Sequence, residues 1–143
     1  HRVDRRQRQM CIRDRYSLTK KVKFINNCKE MPLAYSLADV VVSASIEPEA
    51  FGRVAVESQA MSKPIVASNI GGSKETVLNR KSGYLYKHDD PRELAKNLNT
   101  VIQLNQEELK LMGNEGRKNV TKKFDVEVMC ESNLREYKKL LKN

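Results

Sequence analysis

Short apolar runs alternate with segments of helical periodicity along most of this chain. The run at residues 64–67 has no polar alternation, which is typical of a strand buried on both faces of a parallel sheet. The run at 40–42 has the same character. Two further short strands are predicted at 22–25, ending at Asn26-Asn27, and at 83–86, which makes four in all.

The segments between these runs have the spacing of amphipathic helices. Two of them begin with a polar cap and a glutamate three residues later, in Asp90-Pro91-x-Glu93 and Asn105-x-x-Glu108. We predict helices from Pro32, over 52–61, over 74–78, from Asp90, from Asn105 and from Phe124, the last with a packed face of Tyr137, Leu140 and Leu141. Strands that alternate with helices indicate an α/β fold with right-handed crossovers.

The positive charge is concentrated at the N-terminus. The 143-residue chain has a formal net charge of +9, and residues 1–15 carry +4 of it through six arginines and two aspartates. These residues have no helical or strand period. They are either a basic arm for nucleic acid or anionic lipid, or a segment foreign to the fold. We favour the second because the string resembles translated adapter sequence, and we expect a domain at 16–143 whose natural N-terminal part is missing.

The composition favours a soluble globular domain, with 39% hydrophobic and 31% charged residues. No apolar stretch approaches the roughly 20 residues of a membrane span. The spacing of Cys11, Cys28 and Cys130 relative to His1 and His88 does not suit a zinc site, so we expect reduced thiols and no bound metal. An aromatic content of 6%, not interleaved with basic residues, argues against nucleic-acid binding.

The most informative segment reads Glu-Ala-Phe-Gly-Arg-Val-Ala-Val-Glu and runs from Glu49 to Glu57. A helix that starts near Gly52 would offer unpaired amides and a positive dipole end to a phosphate or sugar oxygen. Eight residues of helix rise about 12 Å, which exceeds the roughly 5 to 9.5 Å between paired glycosidase carboxylates. The two acids are therefore better suited to hydroxyl groups at two ends of a long ligand than to acid/base catalysis.

Several ordered motifs carry a resemblance to a known family. They are Glu-x7-Glu around Phe51-Gly52, Lys-Pro-Ile-Val-Ala at 63–67, Gly71-Gly72-x-x-Glu75 and Ser-Gly-Tyr-Leu at 82–85. From about Lys21 to its end, the chain resembles the C-terminal half of family 4 glycosyltransferases of GT-B architecture, also described as glycosyl transferases group 1. The resemblance implies a Rossmann-like parallel sheet with flanking helices and a C-terminal helix. It also implies a retaining enzyme that uses a nucleotide-diphosphate sugar as co-substrate, without metal or other cofactor.

The resemblance implies roles for individual residues as well. Glu49 would bind hydroxyl groups of the donor sugar, and Glu57 would bind those of the ribose. A turn near the site would be formed by Gly71 and Gly72. The sugar and diphosphate would meet the backbone amides around Phe51, Gly52, Arg53 and Val54. The base would lie beside Ile25, Asn26 and Asn27.

The sequence departs from the family pattern in two respects. Ser62 stands where the family often has glycine, so the turn there has less backbone freedom. The Arg and Lys that usually neutralise the diphosphate precede the first predicted strand, and residues 1–20 do not replace them. The acceptor-binding domain is also expected to be missing, so we expect this chain to bind the donor but not to catalyse transfer alone.

We therefore favour the donor-binding half of a glycosyltransferase of polysaccharide biosynthesis. A stand-alone nucleotide-sugar-binding module that acts with a partner chain is the alternative. The acceptor, a glycan or lipid-linked sugar, would be bound by the missing domain. We expect a cytoplasmic protein. We interpret Lys122-Lys123 and Lys138-Lys139 as helix-surface charge and leave peripheral contact with the inner face of a membrane open.

Overall fold

The computed structural model describes residues 2–25 and 27–141, and the chain divides into two compact units, His1–Glu30 and Met31–Asn143. The first unit begins with helix α1, Arg2–Arg15. These residues have no helical period in the sequence, so α1 is a correction to our expectation. Arginine, glutamine and methionine all have high helix propensity, which favours a helix even without a clear apolar stripe. The foreign origin of residues 1–15 stays a prediction.

The predicted strand at 22–25 is wrong, because the structure describes no strand there. The Val22 N–H donates to the carbonyl of Leu18 at 2.8 Å and closes a turn. The ring of Phe24 lies 5.6 Å from the Arg13 guanidinium carbon, in a cation–π contact within the first unit. A run of apolar residues becomes a strand only when a neighbouring strand supplies the hydrogen-bond ladder, and the described part of the chain supplies none to these residues.

The second unit contains a parallel three-stranded sheet. Its strands are β1, Val41–Ser43, β2, Ile65–Ser68, and β3, Gly83–Tyr86, in the order β1-β2-β3. The other three predicted strands are thus confirmed to within one residue. Every residue of β2 is buried, as the absence of polar alternation in its sequence predicted.

Six helices accompany this sheet in the described part of the second unit. They are α2, Met31–Ser36, α3, Arg53–Ala60, α4, Ser73–Thr76, α5, Pro91–Ile102, α6, Gln106–Phe124, and α7, Val126–Leu140. The cap before α6 is reciprocal, since Asn105 accepts from the Glu108 N–H at 2.9 Å and Glu108 accepts from the Asn105 N–H at 2.8 Å. At α5, Asp90 caps the helix, but the Glu93 carboxylate accepts from the Lys87 N–H instead.

The core lies on both faces of the sheet because side chains alternate along β2. Ile65 and Ala67 pack with Ala55 of α3 on one face. Val66 points to the other face, where it packs with Val101 of α5. This arrangement holds the start of α3 at the carboxyl edge of the sheet, where open α/β sheets bind ligands.

The last helix has no packed face in the described structure, so that prediction is wrong. No residue of α7 is buried, and Tyr137 and Leu140 are 64% and 72% exposed. An apolar stripe shows which side of a helix would be buried, but the covering element has to come from elsewhere in the fold. None of the helices in the described ranges has the length and apolarity needed to cross a bilayer.

Candidate functional site

The candidate site lies where two neighbouring parallel strands end. The segment after β1 runs through Glu49 to Gly52, the residue that caps α3. The segment after β2 contains the turn at Gly71-Gly72, which leads into α4. Since β1 and β2 are adjacent and parallel, both segments leave the sheet at the same edge.

The two segments are in direct backbone contact. The Gly72 N–H donates to the Glu49 carbonyl at 2.8 Å. A Cβ atom on Gly71 would lie 2.4 Å from the same carbonyl oxygen, and one on Gly72 would lie 2.5 Å from the Phe51 carbonyl. Gly71 also has a φ of +55°, which side chains rarely adopt. The turn predicted near the site is therefore the surface against which the backbone of Glu49 packs.

The side chain of Glu49 is exposed and held from within its own loop. The Ser45 hydroxyl donates to Oε1 of Glu49. No residue in the described part of the chain donates to Oε2. Glu49 is thus positioned with one carboxylate oxygen available to a ligand.

In the same loop, the ring of Phe51 makes an edge-to-face contact with Phe124 of α6, with 5.5 Å between ring centroids.

The start of α3 has the properties of an anion site. Gly52, with a φ of +75°, accepts from the N–H groups of Ala55 at 3.0 Å and Val56 at 3.3 Å. No side chain caps this end, and within the described residues nothing accepts from the N–H of Arg53 or Val54. These two amides, together with the helix dipole, favour negative charge.

Glu57 lies one turn into α3 and is held by two side chains. The Tyr35 hydroxyl donates to its Oε2 at 3.0 Å. The Arg53 guanidinium donates to its Oε1 through Nε at 3.2 Å and through an Nη at 2.9 Å. Burial, and then the hydrogen bond to Glu57, raise the pKa of Tyr35 from 10.0 to about 12. Tyr35 therefore stays protonated and remains a donor to this carboxylate at neutral pH.

Comparison with known proteins identifies the family of the chain. Residues 3–119 match the family described as glycosyl transferases group 1. The chain belongs to this family. The resemblance found in the ordered motifs is thereby confirmed.

Individual relatives agree with that assignment. Over 95 residues the chain is 33% identical to the capsular polysaccharide biosynthesis glycosyltransferase CapM of Staphylococcus aureus. The aligned region covers 66% of this chain and 24% of CapM. A glycosyltransferase from Rickettsia africae ESF-5 has a TM-score of 0.90 at 33% identity, over 96% of this chain and 36% of that one. Anabaena HepE, solved in complex with UDP, has a TM-score of 0.90 at 27% identity, over 95% of this chain and 37% of its own.

These comparisons confirm the predicted fold class and show how much of its relatives' length the chain spans. It has the α/β fold of GT-B glycosyltransferases, with a parallel sheet, flanking helices and a C-terminal helix. It spans about a quarter of the length of CapM and slightly more than a third of the two solved chains.

Within the second unit, the structure brings most of the predicted site residues together. Glu49, Phe51 and Gly52 lie in one loop, against the glycine turn. Ile25 and Asn27 belong to the first compact unit, where Ile25 is 85% exposed, and Asn26 lies outside the described residues. Their place beside the base stays a prediction. Within the described ranges, no cluster of three or more His, Cys, Asp or Glu side chains could hold a metal ion.

Two residues of the site, both partners of the acids, were not predicted from the sequence. Ser45 lies four residues before Glu49 in the same loop, so proximity in the chain was a usable signal. Tyr35 lies 22 residues before Glu57, and only the packing of α2 near α3 brings the two together. A tyrosine among the apolar positions of a short helix is more often a core residue, so the sequence contained no sufficient signal for this contact.

Proposed function

We propose that this chain is the donor-binding half of a glycosyltransferase that transfers a sugar from a nucleotide-diphosphate sugar to an acceptor hydroxyl, with retention of configuration. The observation that carries the proposal is the free N-terminus of α3 between two anchored carboxylates. It is supported by the similarity to Anabaena HepE, which has also been solved with UDP-glucose, at a TM-score of 0.87 and 27% identity. UDP-glucose is bound to HepE in that structure, and we propose that this chain binds a ligand of the same chemical class.

The diphosphate would bind at the start of α3. The free N–H groups of Arg53 and Val54 would donate to phosphate oxygens, aided by the helix dipole. Gly52 has no Cβ, and the space around it is open enough that a Cβ would lie 3.4 Å from its nearest neighbour, the Ser73 amide nitrogen. A ligand could therefore approach the backbone closely at this position.

The two acids would bind hydroxyl groups on either side of the diphosphate. Glu57 would accept hydrogen bonds from the ribose, and Glu49, through its available Oε2, would accept them from the donor sugar. Neither acid is asked to transfer a proton. The chemical task left to this half is to stabilise the departing diphosphate through amides and positive charge.

The rest of the reaction would need residues beyond this chain. The acceptor, a glycan or lipid-linked sugar, would be bound by the part of the protein that its longer relatives contain, so the chain alone would bind donor without turnover. We propose no metal and no cofactor apart from the co-substrate. The alternative is a stand-alone binding module whose partner chain supplies the acceptor site. An upstream reading frame that is continuous with this chain and encodes an N-terminal Rossmann-like domain would argue against that alternative.

The test is a calorimetric titration of the chain with UDP and UDP-glucose. Loss of a hydrogen bond to a charged group costs about 1.5 to 3 kcal/mol, or roughly 10- to 100-fold in affinity. We expect Glu57→Gln to weaken both ligands by such a factor, and Glu49→Gln to weaken UDP-glucose while UDP is unchanged. Glu131→Gln, in an exposed position of α7, is the matched control. Equal affinities of all variants for both ligands would refute the assignment.

A further inference from the structure

Glu57 is held by two partners of very different character. Tyr35, on its Oε2, is only 6% exposed. Arg53, on its Oε1, has a side chain that is 83% exposed. The two oxygens of one carboxylate are therefore attached to a buried neutral donor on one side and an exposed cation on the other.

The two partners differ in how easily they can be exchanged. An exposed i,i+4 ion pair contributes little to stability, and water can replace it. Arg53 is also the first residue of α3, where the helix dipole disfavours a cation. Tyr35 cannot release Glu57 without leaving a buried hydroxyl unsatisfied, which is expensive. The arginine is the partner that a ligand would displace.

The lone pairs of the carboxylate lead to the same conclusion. A carboxylate offers about four acceptor positions. Tyr35 occupies one on Oε2, and the two N–H groups of Arg53 occupy both on Oε1. A vicinal diol that donates to both oxygens needs one position on each. The diol therefore fits if the guanidinium leaves Oε1, while the tyrosine keeps the carboxylate in place.

We propose that Tyr35 is a positioning residue that fixes Oε2 of Glu57, so that the ribose diol of the donor binds this carboxylate in exchange for the Arg53 guanidinium. The inference rests on the proposed function. Tyr35 itself would not touch the ligand. Its effect would be confined to the ribose, because Glu57 is the group it orients.

The experiment compares UDP with 2′,3′-dideoxy-UDP, which lacks the two ribose hydroxyls. For each variant of the chain, calorimetry gives the ratio of the dissociation constant of the dideoxy compound to that of UDP. We expect Tyr35→Phe to lower this ratio about 3- to 10-fold, the loss of one hydrogen bond, through weaker UDP binding alone. Arg53→Gln should leave the ratio unchanged or raise it, because the competitor of the diol is removed.

Controls separate positioning from general damage. Tyr86→Phe removes a hydroxyl from a core tyrosine that is 5% exposed, and it should not change the ratio. If Tyr35→Phe weakens both compounds equally, its role is structural and the inference is overturned. A lower ratio in Arg53→Gln would also overturn it, since the arginine would then support the ribose contact.

The outcomes also distinguish this inference from the function on which it rests. If Glu57→Gln lowers the ratio and Tyr35→Phe does not, the ribose role of Glu57 stands and the positioning role of Tyr35 fails. If wild-type chain binds none of UDP, GDP and ADP, the proposed function and this inference fail together.

Discussion

The two glutamates of the candidate site are placed by different means. Glu49 is positioned through its backbone, which packs against Gly71 with no room for a Cβ atom between them. Glu57 is positioned through its side chain, by Tyr35 and Arg53. Displacement of the Glu49 backbone should therefore require a change in the fold, whereas loss of the Tyr35 hydroxyl should be enough to loosen the Glu57 carboxylate. The predictions below test this difference, from the largest expected effect to the smallest.

Gly71→Ala should disrupt the packing that positions the backbone of Glu49. A Cβ there would lie 2.4 Å from the Glu49 carbonyl oxygen at a φ of +55°, so we expect a loss of roughly 3 kcal/mol in the free energy of unfolding. Gly52→Ala is the control, because its φ of +75° is equally unfavourable but its Cβ approaches no atom closer than 3.4 Å. It should cost about 1 to 2 kcal/mol. Equal losses in urea unfolding would contradict the packing argument.

Tyr35 provides a pH-dependent test of the Glu57 side. Its pKa is raised from 10.0 to about 12, so the folded state holds this proton more tightly than the unfolded state does. Its contribution to stability is complete below pH 10 and is lost as the pH rises to about 12. The stability advantage of wild type over Tyr35→Phe should therefore shrink by on the order of 2 kcal/mol across that interval. A constant difference would show that the hydroxyl is not held by burial and Glu57.

Ser62 lies at the C-terminal end of α3 and tests the strain of the backbone there. It has a φ of +54° and follows the helix cap, with its N–H donating to the Gln59 carbonyl and the Lys63 N–H donating to that of Ser58. This is the Schellman motif, in which glycine is preferred. Ser62→Gly should stabilise the chain by roughly 0.5 kcal/mol, since relief of strain exceeds the added chain entropy. UDP affinity should not change, because neither acid moves. If the substitution destabilises the chain, the serine must make interactions that offset the strain of its positive φ.

Arg53→Gln should have the smallest effect on stability. The exposed pair with Glu57 should contribute no more than about 0.5 kcal/mol, less at high salt. Lys118→Gln, which removes the exposed pair with Glu115 on α6, is the matched control and should cost the same. A loss above about 1 kcal/mol for Arg53→Gln alone would mean that the arginine, like the tyrosine, is a fixed partner of Glu57.

Local sequence patterns predicted the elements that are stabilised by interactions within a few residues or by burial along their whole length. The buried strand β2 and the cap at Asn105 were readable because their signals lie within a few residues. The strand expected at 22–25 and the packed face expected on α7 depended on distant partners that the described structure does not supply. The helix at the N-terminus was missed because intrinsic propensity, rather than periodicity, favours it.

The sequence by itself determined the family, the α/β alternation and the segment from Glu49 to Glu57, because motif order and spacing are properties of the chain alone. Only the tertiary structure decided what holds each acid. The contact between Gly71 and Glu49 and the hydrogen bond from Tyr35 to Glu57 join residues 22 apart in the chain. The first contact arises because parallel strands bring successive loops to one edge of a sheet, and the second because α2 lies near α3. No local pattern encodes either arrangement.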